Sequence, residues 1–269
     1  VYTDTQYISS LSNYGDYSLV YVFIAFMNII YLYGMDAAFM RYFFLGKYAR
    51  EDVFKTTFFA VLLNVLLLSS LVLLFSGSIA RVVFNGEGYA VFIRITAGIL
   101  LFDTLCNLPY LLLRAEEKSV HYSVIRIGRF IVELVLNIIF VVVLKLDVIG
   151  ILYANLVAAV INFLALIPFQ YRYLKGRWHG DALKELLRFG LPMIPNGLAY
   201  LIVEVSDKYL MSRLLDKDTL GIYSANYRFG SALLLVVIAF RTAWQPFFLK
   251  VAKLPDAKRI YSKVLTYFL

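Results

Sequence analysis

The chain has 269 residues, of which 61% are hydrophobic and only 16% charged, and it carries a formal net charge of +8. Soluble domains carry about 25% charged residues, so this composition excludes a soluble globular domain and points to a membrane protein. The positive charge does not mark a nucleic-acid binder, because almost all of the basic residues fall in short loops between long apolar runs, where they report topology.

In chain order, seven complete spans are predicted near residues 18–43, 53–76, 89–113, 120–144, 147–172, 187–214 and 219–249, with an eighth opening near Lys258. Each exceeds the roughly 20 residues that cross a ~30 Å hydrocarbon core. The runs are too long for strands and lack period-two alternation, and spanning sheet must close into a barrel. The predicted class is therefore an all-α, polytopic membrane helical bundle. The chain opens at Val1 without an initiator methionine and stops at Leu269 inside an apolar run, so it is expected to belong to something longer.

Lysine and arginine set the orientation. Arg41, Lys47, Arg50 and Lys55, then Arg114, Lys118, Arg126 and Arg129, then Arg172, Lys175, Arg177, Lys184 and Arg188, then Lys250, Lys253, Lys258, Arg259 and Lys263 mark one set of ends, which the positive-inside rule places in the cytoplasm. Residues 1–16 then lie outside, and one helix upstream is the simplest completion.

Charges inside spans cost at least ~2.5–3.5 kcal/mol each near the centre on insertion scales, so several in one bundle require a wet interior or tight pairing. In the first span Asp36 and Arg41 point different ways, and Arg41 either anchors the interface or contacts substrate. In the third, Asp103, Asn107 and Arg114 share a face interrupted by Pro109, with Arg94 roughly opposite. In the fourth, Tyr122, Arg126, Arg129, Glu133 and Asn137 fall on one helical face. That face is either a packing stripe, with Arg129 bridged to Glu133 and Arg126 snorkelling, or the lining of a polar cavity. Gly150, Ala154, Ala158 and Ala159 around Asn155 and Asn162 permit close packing in the fifth.

The sixth span enters through Gly190, Pro192 and Pro195 and carries Asn196, Tyr200, Glu204 and Asp207 on one face. Its acidic groups either receive a coupling cation or neutralise arginines elsewhere in the bundle, while Asp207, beside Lys208 near the outer interface, reads first as a solvated pair. The seventh places Tyr223, Tyr227, Ser231, Arg241 and Gln245 on a broad face, with Pro246 bending its end. Arg241 either faces an anion-binding cavity or is tied to carbonyls freed by that bend. The pattern G-x-Y-S-x-x-Y-x-F occurs at Gly15–Phe23 and again at Gly221–Phe229, as a transporter built from two similar halves would show.

Other chemistries find no support. There is no G-x-x-x-x-G-K-[ST] phosphate loop, no Ser, His and carboxylate set, and no metal-ligand cluster. His121 and His179 lie far apart, and the single Cys106 can form no intrachain disulfide. No catalytic residue, metal or cofactor is expected, and the chain is not expected to be an enzyme.

Several motifs together carry a resemblance: Tyr14-Gly15-Asp16-Tyr17-Ser18, Tyr33-Gly34-Met35-Asp36 leading to Arg41-Tyr42-Phe43, Phe189-Gly190-Leu191-Pro192 with Pro195, Asp207-Lys208-Tyr209, and Gly221-Ile222-Tyr223-Ser224. In this order they resemble the bacterial polysaccharide biosynthesis or oligosaccharide flippase family, in the superfamily of multidrug and toxic compound extrusion transporters and lipid II flippases. The resemblance implies a fragment of a two-bundle transporter. Residues 1–172 would form most of the first six-helix bundle, 173–184 a cytoplasmic linker and 185–269 the start of the second bundle.

The implied activity is translocation of an undecaprenyl-diphosphate-linked oligosaccharide from the cytoplasmic to the outer leaflet of the bacterial inner membrane, by alternating access through a cationic cavity. Expected substrate-binding residues are then Arg41, Arg126, Arg129, Arg241, Asn137 and Tyr227, since arginine binds phosphate oxygens in pairs. Glu133, Glu204, Asp103 and Asp36 are the expected charge partners or ion-coupling groups. The implied partners are the lipid-linked oligosaccharide and the bilayer; a coupling H+ or Na+ and glycan polymerases are further ones that the resemblance allows, and nucleic acid is not among them. The alternatives are a cation-coupled multidrug exporter or lipid II flippase of the same superfamily, and a membrane-embedded glycan polymerase or ligase.

Overall fold

The computed structural model describes residues 11–84, 89–214, 237–242, 244, 246–252 and 256–268, and all regular structure among them is helical. The expected span 219–249 therefore lies largely outside the described residues, as do Tyr227 and the second copy of the repeat. The chain divides into two compact units, residues 1–194 and 195–269.

In the first unit, α1 (Leu11–Leu32) and α2 (Met35–Leu45) are followed by α3 (Arg50–Leu74), a short α4 (Ser76–Phe84), α5 (Ala90–Ala115) and α6 (Ser119–Asn137). A π-helical stretch, Ile138–Val143, extends α6; α7 (Asp147–Gln170) and α8 (Gly180–Gly190) complete the unit. Helix α9 (Met193–Leu214) lies almost wholly in the second unit, with residues 237–242 and 246–251 helical and α10 (Ala257–Phe268) after them. By length and composition, five described segments can cross a membrane: Val20–Leu45, Arg50–Leu74, Ala90–Ala115, Asp147–Gln170 and Gly180–Val203. The protein is a multi-pass membrane protein.

Helix α5 is the axis of the first unit. It packs along α7 and α3 and also meets α1 and α4. Its Ile93, Ile99, Leu100, Leu108, Leu112 and Leu113 are completely buried. Pro109 lies within α5, which continues unbroken to Ala115. The expected interruption is thus limited to one lost backbone bond, because neighbouring helices hold the segment. The small residues of α7 behave as close-packing residues: Gly150, Ala154, Ala158 and Ala159 are buried, and a Cβ on Gly150 would stand 3.1 Å from the Phe140 carbonyl oxygen. By contrast α6 buries no residue. Val120, Val124, Ile127, Phe130 and Ile131 are exposed, as suits a lipid-facing side.

The first expected span is not one straight helix. Tyr33 (φ 36°) and Gly34 (φ 74°, ψ 8°) take left-handed backbone between α1 and α2. Gly34 sits so close to the turn after α8 that an added Cβ would strike the carbonyl oxygen of Gly190. Gly190 in turn lies against the Tyr33 and Gly34 carbonyls, its own Cβ position 3.1 Å from each oxygen. Two glycine motifs far apart in sequence thus meet backbone to backbone. Leu191 and Pro192 form the turn into α9, whose first turn accepts Pro195 because the amide that proline lacks would have no helical partner there.

The segment between α7 and α8 is fastened to the start of α3. Arg177 N–H donates to Asp52 Oδ1 at 2.6 Å, His179 N–H donates to Thr56 Oγ1 at 3.2 Å, and His179 Nε2 lies 2.9 Å from Asp52 Oδ2. Tyr173 packs on Phe43 and Phe54 and donates its hydroxyl to Glu116, which also pairs with Lys118 at 2.9 Å. Burial alone would raise the Glu116 carboxyl, but the Tyr173 hydrogen bond and the Lys118 ammonium outweigh it and hold the group below the usual glutamate value. A depressed folded value means that the unfolded chain binds more protons. The stabilisation is present in full above the unfolded value of ~4.3 and is lost as pH falls through the lowered one. Its size is less than about 1 kcal/mol after solvent screening. Thermal unfolding in micelles at pH 6 and pH 3.5 should show the wild type losing its small advantage over Glu116→Gln at the lower pH; an advantage that persists in acid contradicts the assignment.

Candidate functional site

The polar face of α6 meets polar groups from two other helices and, through one of them, a third. Arg129, with 16% of its side chain exposed, grips Asp103 of α5 with both ends of its guanidinium: Nη1 lies 2.8 Å from Oδ1 and Nη2 donates to Oδ2 at 3.1 Å. Its Nε lies 3.9 Å from Glu133 Oε2 one turn along, and Nη2 reaches Asn155 Oδ1 of α7 at 3.5 Å. Asn155 Nδ2 donates to the Tyr21 hydroxyl of α1 at 3.3 Å. A two-point arginine–carboxylate contact fixes geometry as well as charge, so the network ties α1, α5, α6 and α7 together. Two carboxylates share one guanidinium, which leaves one negative charge uncompensated when both are ionised.

Arg126, one turn earlier, is seated differently. Its guanidinium carbon lies 4.3 Å from the ring centre of Tyr110 and 5.6 Å from that of Tyr122. The two rings pack edge to face with centroids 5.4 Å apart, and the Tyr110 hydroxyl donates to Asn162 Oδ1 at 2.5 Å. Among the described residues Arg126 makes no ion pair or hydrogen bond, so its five N–H donors remain available. A cation over an aromatic face is held without consuming a donor. The α6 face thus splits into a committed arginine, Arg129, and an uncommitted one, Arg126.

The other expected residues have these surroundings. Exposed Arg41 lies with its guanidinium carbon 4.4 Å from the Phe189 ring centre and 5.9 Å from that of Tyr42, without an ion pair among the described residues. Asp36 is half-buried on α2, and no ion pair joins it to Arg41 among the described residues. Asn137, at the junction of α6 and its π-helical extension, has a buried Oδ1 with no hydrogen-bond partner among the described residues. Arg94 donates to Ser76 Oγ at 3.2 Å, away from Asp103. Arg241 is exposed on the helical stretch 237–242 of the second unit. Glu204 lies on α9, and its side chain, like Tyr227, is outside the described residues.

Tyr21, Tyr110, Asn155 and Asn162 are network members that the sequence does not assign to the site. A signal exists for the two asparagines: they lie seven apart, two turns on one side of α7, among small residues. It is read first as packing, because Gly150, Ala154, Ala158 and Ala159 do pack.

The family model for "Polysaccharide biosynthesis protein" matches residues 6–252. No curated protein matches the chain significantly. Two solved structures share the fold. One, described as the outward-facing conformation of a multidrug resistance MATE family transporter of the MOP superfamily, is similar with a TM-score of 0.72 and 20% identity, over 95% of this chain and 62% of that one. The other, described as MATE in complex with Br-NRF, gives a TM-score of 0.69 and 18% identity over 92% and 60%. The chain therefore spans about three-fifths of the length of these transporters.

Proposed function

Because the chain belongs to the polysaccharide biosynthesis protein family, we propose that it forms part of a flippase of the bacterial inner membrane. Its cargo is an oligosaccharide carried on undecaprenyl diphosphate, moved from the cytoplasmic to the outer leaflet for surface polysaccharide synthesis. The two-bundle division, with 1–172 and 185–269 joined by 173–184, belongs to the same proposal. The observation that carries it is the state of Arg126: an arginine on α6 that lies over two aromatic rings and, among the described residues, makes no hydrogen bond or ion pair. A diphosphate supplies the oxygens that such a planar fork binds in pairs. Arg129 acts as a positioning residue, since Asp103 occupies its fork. Arg41 and Arg241 remain candidate contacts for the anionic headgroup, and no residue is given a catalytic role.

The acid excess at Arg129 favours a second element. Asp103 and Glu133 together exceed the charge of Arg129, and this local surplus suits a coupling H+ or Na+. The same surplus is what a cation-coupled drug exporter would need, so that rival remains the second reading.

In cells carrying the full-length protein, Arg126→Ala is expected to abolish surface glycan with the protein still in the membrane, and Arg126→Lys to retain only part of it. Loss of a charge-assisted bidentate contact of about 1.5–3 kcal/mol corresponds to roughly 10–150-fold weaker binding. Normal glycan together with new drug sensitivity in a deletion strain would instead establish the exporter.

A further inference from the structure

Helix α8 lies on the first unit with Ala182, Leu186 and Gly190 buried against α2 and α3. It turns Lys184 and Arg188 outward. Beside it runs the loop joining α2 to α3. Lys47 and Tyr48 of that loop both donate to Glu185 Oε1, Tyr48 at 3.3 Å. Between loop and helix lies an open notch of about 490 Å³, lined by Lys47, Tyr48, Asp181, Lys184, Glu185 and Arg188. Its volume falls in the ~300–1,000 Å³ range of ligand pockets.

The charges in the notch are not equivalent. Glu185 is taken by Lys47 and Tyr48. Lys184 and Arg188 make no ion pair or hydrogen bond among the described residues. They stand four apart on one helix face, where side chains are neighbours with Cβ atoms ~5–6 Å apart. Asp181 is the one lining carboxylate without a described partner, so three cations face two acids and the cationic side is the one left open.

The depth of the notch is set by the chain. Residues 46–49 connect the ends of two spanning segments, Val20–Leu45 and Arg50–Leu74, which places the loop at the level of lipid headgroups. Two residues after α8 the chain turns into α9. Exposed Trp178 and Tyr171 lie nearby in the chain, and such side chains belong at the membrane interface.

We infer that this notch binds the phosphate of an anionic phospholipid headgroup on the basic side of the membrane, with Lys184 and Arg188 as the paired cations. Glu185 is the positioning residue that keeps Lys47 and Tyr48 at the rim. Such a headgroup site lies outside the α6 network and would serve the protein whatever cargo it moves.

The test uses the full-length protein reconstituted in nanodiscs of an equimolar mixture of phosphatidylglycerol and phosphatidylcholine, with the retained lipids counted by native mass spectrometry after delipidation. The wild type should retain phosphatidylglycerol in excess of phosphatidylcholine. The exposed pair K184Q/R188Q should reduce that excess on the order of tenfold, while the charge-keeping swap K184R/R188K should preserve it. An unchanged excess in K184Q/R188Q, or none in the wild type, overturns the site. Displacement of the retained phosphatidylglycerol by inorganic phosphate, lost again in K184Q/R188Q, would assign the notch to soluble phosphate and overturn the lipid as its ligand.

Discussion

Asp103→Ala is expected to destabilise the first unit by about 3–5 kcal/mol, because it leaves the largely buried guanidinium of Arg129 without its two-point partner. Glu133 cannot replace that partner; it lies 3.9 Å from Nε and contributes a single long contact. The loss belongs to the stranded charge and not to the pair as such, so Asp103→Ala combined with Arg129→Met should recover most of it. Denaturant unfolding in micelles measures both. A single variant that loses under 1 kcal/mol, or a double variant no better than the single, would show that this pair does not tie α5 to α6.

Gly34→Ala should be comparably damaging for a different reason. A φ of 74° places any side-chain-bearing residue in the left-handed region, at about 1–2 kcal/mol. The added Cβ also meets the Gly190 carbonyl oxygen, and overpacking against backbone adds about 1–3 kcal/mol. Together these give about 2–5 kcal/mol, read as a lower unfolding midpoint. Gly128→Ala is the control. Its Cβ would meet nothing within 4 Å, so in mid-helix it should be neutral or stabilising by about 0.5–1 kcal/mol. Equal effects at the two glycines would mean that the close approach of the two motifs contributes nothing.

The helical class and the main spans were legible because length and hydropathy decide them. No soluble alternative can absorb the long apolar stretches of α3, from Phe58 on, and of α7. Helical period also placed Arg126, Arg129 and Glu133 on one face. What period could not supply was the partner across helices. Asp103 and Arg129 are 26 residues apart, and their meeting depends on how α5, α6 and α7 pack. The division of labour between two arginines one turn apart was invisible for the same reason: the nearer carboxylate in space belongs to α5. The break at Tyr33-Gly34 was hidden too, because a run of apolar residues on both sides reads as one continuous span. The motifs around Gly34 and Gly190 each carry part of the family resemblance, and their contact is a tertiary fact.

Arg41 lies beside Phe189, Arg129 is bound to carboxylates, and Arg241 belongs to the second unit. Arg126 is the member of the α6 pair whose surroundings leave its chemistry open.

The most direct measurement is flipping of a fluorescent undecaprenyl-diphosphate oligosaccharide by the full-length protein in liposomes, comparing wild type, Arg126→Ala and Gly128→Ala. Export through an uncommitted arginine requires that the wild type and Gly128→Ala move the label across the bilayer and that Arg126→Ala, equally folded, does not. Transfer at the wild-type rate by Arg126→Ala would contradict it.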